Sequence, residues 1–207
     1  MERSYFFVRH GRAVYQERGF RPADHPEGPD WPLAPIGHRQ ARAVAPTLAS
    51  YGVERVISSG LRRARQTAAG IAEGGLPYAH AWPDLNEVEP RHLRAAPRRL
   101  RLPAPDWWSG WQMARAMRQH VRGRPPNGWR VADVERRVRE VLGRLDRMGE
   151  RRIAVVGHGF WILLATVALE GPLRPRWVDN CSITRVDADG RGRYRVLCFA
   201  TPGAAVR

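Results

Sequence analysis

Two apolar runs in distant parts of the chain close on the same device, and this constrains the fold more than any other feature of the sequence. Phe6-Phe7-Val8 runs into Arg9-His10-Gly11, and Ala154-Val155-Val156 runs into Gly157-His158-Gly159. A short apolar run bounded by glycine reads as a buried strand passing into a loop. In a parallel sheet such strand ends lie along one edge, so the two imidazoles converge. Glycine beside each histidine lets backbone or ligand approach closely. One strand-end histidine is ordinarily a structural hydrogen-bonding residue. Two in matching context point to a shared site.

The elements between and around these runs alternate. Tyr5–Val8, Arg55–Ile57, Tyr78–Trp82 and Ile153–Val156 read as strands. Gly37–Ser50, Leu61–Glu73, Val131–Met148 and Phe160–Leu169 read as helices. In the first of these, Ala41, Val44, Ala45 and Leu48 recur at three- and four-residue spacings. Residues 12–36 carry repeated Pro and Gly and are expected to be irregular. Ser182–Asp187 and Tyr194–Ala200, around Asp189-Gly190, read as a C-terminal β-hairpin. The alternation predicts an α/β three-layer sandwich with a mostly parallel central sheet flanked by helices. Ligands are then expected beyond the carboxyl ends of the strands. A length of 207 residues suits a single domain over 1–207. Its loosest part, about 88–130, is rich in Trp, Arg and Pro (Trp107, Trp108, Trp111 and Trp129 among them) and reads as a cap-like insertion. Those aromatics form either a small satellite core or the lining of an entrance.

Composition narrows the class. No apolar run approaches the roughly 18–20 residues that cross a bilayer. The first residues lack the basic, apolar and small-residue regions of a signal peptide, so no membrane association and a cytoplasmic location are expected. Cys181 and Cys198 have no metal-ligand spacing and read as reduced packing residues. The formal charge of +15 raises nucleic acid as a partner. Yet the chain has no lysine, and all 35 of its basic residues are arginine, in ordinary helix faces too. Compositional bias therefore explains the charge as well as selection for a polyanion does, and nucleic acid is disfavoured. A positive field still attracts small phosphorylated substrates. Oligomeric state is not legible in the sequence.

Between the two histidines lies Ser58-Ser59-Gly60-Leu61-Arg62-Arg63-Ala64-Arg65-Gln66-Thr67-Ala68, a strand-to-helix turn. It sets arginines near a helix N-terminus, where backbone amides already favour an anion. Arg65 reads as an ordinary solvated helix position. At this point the chain resembles a known family. Arg9-His10-Gly11 resembles the RHG signature of the histidine phosphatase (phosphoglycerate-mutase-like) superfamily, branch 1. Ser58 to Ala68 is similar to its "SSxLxRAxQTA" segment, and Gly157-His158-Gly159 to its second-histidine motif. Leu33-Ala34-Pro35-Ile36-Gly37-His38-Arg39-Gln40-Ala41 is similar to "LTPxGxxQA", and Asn180-Cys181-Ser182 to a late "NCS" segment. Leu85-Asn86-Glu87 stands where the family keeps its acidic proton donor. The ordered set spans nearly the whole chain.

The resemblance implies roles for matching positions. His10 is the nucleophile; Arg9, Arg63 and His158 bind the phosphoryl group with it; Glu87 is the acid, with Glu89 and then Asp84 as competing candidates. Gly11 and Arg12 are possible substrate contacts. These residue types suit the chemistry. Phosphoryl transfer needs an in-line nucleophile and neutralisation of the equatorial oxygens. A neutral imidazole can attack and hold the group covalently, arginine forks match phosphate oxygens, and a protonated carboxyl can protonate the leaving alkoxide. No HExxH, DxDxDG or cysteine cluster is present, so neither a metal nor another cofactor is expected. The reading is a metal-independent phosphatase acting on a small phosphomonoester. Alternatives are a mutase-like phosphotransferase and a catalytically weak protein that binds a phosphorylated ligand. The chain departs from the family at Arg12 and after Glu87, where Val88-Glu89-Pro90-Arg91-His92 replaces "GxWEG", and it lacks the "GES" element. Substrate recognition is therefore unusual.

Overall fold

A computed structural model describes residues 3–21, 24, 30–87, 131–170 and 178–203. The expected insertion at 88–130 lies outside the described residues, as does Glu89.

The strands are β1 (Arg3–Arg9), β2 (Arg55–Ser59), β3 (Tyr78–Trp82), β4 (Arg152–Gly157), β5 (Ile183–Ala188) and β6 (Tyr194–Thr201). They form one sheet in the order β3-β2-β4-β1-β5-β6. The first four are mutually parallel; β5 and β6 are the expected hairpin, antiparallel to each other, and β5 pairs antiparallel with β1. The architecture is the mixed α/β one, with a mostly parallel sheet flanked by helices.

The helices are α1 (Pro35–Ser50), α2 (Arg62–Ala72), α3 (Val131–Asp146) and α4 (Gly159–Glu170). Because successive side chains of a strand point to opposite faces, the central strands feed two separate cores. Phe6, Val8, Val56, Ala154 and Val156 pack with Val44, Leu48, Ala68 and Ile71 of α1 and α2. Tyr5, Phe7, Ile57, Ile153 and Val155 pack with Val138, Leu142 and Leu145 of α3 and Trp161 to Ala165 of α4. Each fully buried large aliphatic or Phe side chain stabilises by roughly 1.5–3 kcal/mol. Burial on both faces also explains why β1 and β4 read as unbroken apolar runs rather than alternating ones.

Two local features refine the sequence reading. α1 begins at Pro35, two residues before the start read from the apolar pattern, because proline without its N–H is well suited to the first helical turn. At its other end α3 is tied to the sheet by Asp146, whose carboxylate accepts from the hydroxyls of Tyr5 in β1 and Tyr194 in β6.

Candidate active site

The β1–β4 register builds the centre of the site. Arg9 pairs with Gly157, the last residue of each strand, and the His10 amide donates to the Gly157 carbonyl at 2.9 Å. His10 and His158 therefore leave the sheet side by side, with ring centroids 5.2 Å apart. Both are almost wholly buried, at 1% and 0% exposure.

His10 is held in one tautomer. Its Nδ1 lies 2.7 Å from the Gly11 carbonyl, which can only accept, so Nδ1 carries the proton. Nε2 then presents its lone pair, and Nε of Arg63 donates to it at 3.2 Å. Burial, and after it the charge of Arg63, then His158 and Arg9, holds the His10 imidazolium well below the usual range. Burial followed by Arg63, Arg9 and Arg137 does the same for His158. Both rings are thus neutral at neutral pH.

Arg63 comes from the first turn of α2 and is 6% exposed. Among the described residues no carboxylate pairs with it; its guanidinium meets His10 and lies 5.6 Å from the centre of the Tyr15 ring. A buried charge without a counter-charge is costly, so the position suits an anion. Its chain neighbour Arg62 faces solvent, its backbone amide capped by Asp30 at 2.7 Å, and Arg65 is likewise exposed. Arg9, at the end of β1, is 8% exposed and donates to the Val178 carbonyl. A Cβ on Gly159 would come within 3.2 Å of the Arg9 Nε, so that glycine makes room for the guanidinium.

The other histidine, His158, has Nε2 2.7 Å from the Ser59 hydroxyl. Its buried Nδ1 has no partner among the described residues. Glu87 follows a short 3-10 turn, Pro83–Leu85, and its Oε1 accepts from the Trp161 amide at 3.1 Å, in the first turn of the helix that starts directly after His158. Arg137 of α3 secures this turn by donating to the carbonyls of Asp84 and Asn86 at 2.6 and 2.8 Å. Asp84 is exposed and faces Arg144 at 3.6 Å.

The remaining expected positions are differently placed. Arg12 gives its guanidinium to Glu17 and the Gln16 carbonyl, each at 2.7 Å. Gly11 makes room for the chain itself: a Cβ there would strike the Gly37 backbone at the start of α1. Three supporting residues had no role assigned from the sequence. Thr67 accepts from the Gly11 amide at 3.0 Å and donates to the Arg63 carbonyl at 2.7 Å. Asn180 donates to the His10 carbonyl at 2.8 Å, and Ser59 meets His158. Thr67 stands four residues after Arg63, hence on the same helix face, and that spacing was a usable signal. For Asn180 the signal was its place in the Asn180-Cys181-Ser182 segment, which carried no role. Cys181 is buried in the α1–α2 core, and burial pushes its thiol up to about 12. No three of His, Cys, Asp or Glu cluster as metal ligands among the described residues.

Fold and pocket together define a class: α/β proteins with a buried cationic site of two histidines and two arginines at the carboxyl edge of a mostly parallel sheet. The chain belongs to the histidine phosphatase superfamily, branch 1, whose family model matches residues 5–200. It is 32% identical over 187 residues to a probable phosphoglycerate mutase of Yersinia enterocolitica, covering 88% of this chain and 83% of that protein. It is 30% identical over 179 residues to the adenosylcobalamin/alpha-ribazole phosphatase of Salmonella typhimurium, covering 83% and 82%. A mycobacterial glucosyl-3-phosphoglycerate phosphatase shares the fold, with a TM-score of 0.66, 21% identity and coverage of 97% and 100%. No helix among the described residues is long and apolar enough to cross a membrane.

Proposed function

We propose that this chain is a metal-independent phosphatase that hydrolyses a small phosphomonoester through a phosphohistidine on His10. One observation carries the reading: a neutral, buried His10 turns its Nε2 lone pair toward Arg63, a buried cation with no carboxylate partner among the described residues. Arg63, Arg9 and His158 hold the phosphoryl oxygens. The Nε2–P bond forms as the P–O bond to the leaving alcohol breaks, and Glu87 gives that oxygen its proton. Water then attacks phosphorus, Glu87 takes the water proton, and the P–N bond electrons return to the imidazole.

A second reading, transfer to another hydroxyl as in a mutase, is supported by the 32% identical relative. Both readings share the first half-reaction. Quenched turnover mixtures should contain acid-labile phosphate on His10, and His10→Ala should release no phosphate above background from any ester. Full activity in His10→Ala would falsify both readings. Phosphate retained on the enzyme until a second alcohol is added would select the mutase. Ligand binding with no phosphohistidine would leave only a binding protein.

A further inference from the structure

The two histidines are both neutral, so each has one N–H and one lone pair, and which nitrogen faces the phosphoryl group decides what it can do. For His10 the Gly11 carbonyl fixes the answer. For His158 the deciding group is Ser59. The Ser59 side chain is fully buried. Its Oγ already accepts from the Leu61 amide at 3.3 Å and lies 2.7 Å from His158 Nε2. A hydroxyl has one proton to donate, and His158 Nε2 is the sole acceptor in reach of it among the described residues. If His158 instead donated from Nε2, the Ser59 proton would be buried without an acceptor, an arrangement that costs more than a satisfied one. It would also point the Nδ1 lone pair into a site built for an anion.

We infer that Ser59 is a positioning residue that donates its hydroxyl proton to Nε2 of His158 and thereby keeps the proton of that ring on Nδ1. Nδ1, without a partner among the described residues, is then a donor aimed at the phosphoryl oxygens. The two rings share one tautomer and use it oppositely. His10 turns its Nε2 lone pair to phosphorus, and His158 turns its Nδ1 proton to an equatorial oxygen. This rests on the proposed phosphoryl site but not on turnover at it.

The test is a long-range proton–nitrogen-15 correlation spectrum of the imidazoles in the whole labelled protein at pH 8, with His158 assigned by its loss in His158→Asn. The neutral Nδ1–H pattern is expected for His158. In Ser59→Ala the Nε2–H pattern should appear, and the inhibition constant for orthovanadate should rise about tenfold, the scale of one hydrogen bond to a charged group. Ser59→Thr keeps the hydroxyl and should restore both. An Nε2–H pattern in the unaltered protein overturns the inference by itself, whether or not any variant folds. Unchanged tautomer and vanadate affinity in Ser59→Ala overturn it as well. A failure to find phosphohistidine would instead count against the proposed function and leave the tautomer assignment standing.

Discussion

Arg62 and Arg63 are adjacent, identical in type and opposite in fate. α2 turns one outward and the other under the Tyr15 ring, against His10. Arg63→Ala is expected to lower kcat/KM by about 10²–10³, the usual loss when one transition-state donor is removed, while Arg62→Ala changes it little. Comparable losses from steady-state kinetics on both variants would mean that the helix phase is misassigned. A pH effect follows from the same contact. Burial chiefly, and Arg63 next, disfavour the charged His10. With substrate ionisation corrected for, the acid limb of kcat/KM should lie below the ordinary imidazole value of about 6.5. Removing Arg63 should move that limb upward, because a neighbouring cation no longer opposes protonation. A limb that moves downward would reverse the assigned electrostatics.

Among the elements, the turn that carries Glu87 is the one whose chemistry depends most on its supports. α3 clamps it through Arg137, and the Asn86 side chain accepts from the Gly60 amide at 2.7 Å. Glu87→Gln should lower kcat/KM for alkyl phosphates far more than for activated aryl phosphates, since a poor leaving group needs the proton and a good one does not, while the shared dephosphorylation step lowers kcat for both. The same comparison on Glu89→Gln locates the acid: a leaving-group effect confined to that variant would move the role there. The elements themselves were largely legible in the sequence. Apolar spacing marked α1 and α3, a continuous apolar stretch marked α4, a strand-to-helix turn marked α2, and unbroken apolar runs marked β1 and β4. The start of α1 was not, because Pro35 reads as a breaker until its place in the first turn is known. The Arg137 clamp was equally hidden. A helix rich in alternating charge gives no sign of which arginine reaches another element's carbonyls, whereas Arg63 stood out by its place in a turn.

For the molecule as a whole, the buried histidines couple stability to pH. Both have folded values below the ordinary one, so the unfolded chain binds more protons beneath about pH 6.5. Stability should therefore fall as pH drops through that value, and go on falling until the folded values are reached. Carboxylates with lowered values, such as Glu150, contribute only further into acid. The fall in Tm between pH 7.5 and 5.5 should thus shrink in a His10→Asn, His158→Asn double variant. An undiminished fall in calorimetry would remove the histidines as its cause. The layered architecture was legible from alternation alone, but the strand order was not, since pairing depends on contacts between distant segments. That order governs how the protein comes into being during translation. β4 lies between β1 and β2, and every partner of β1 lies beyond residue 151. The first strand, with His10 attached, has no strand partner among the described residues until Arg152–Gly157 has been made. During that interval its edges are open to other chains, and one late segment, Arg152–Gly157, both closes the sheet and delivers the second histidine.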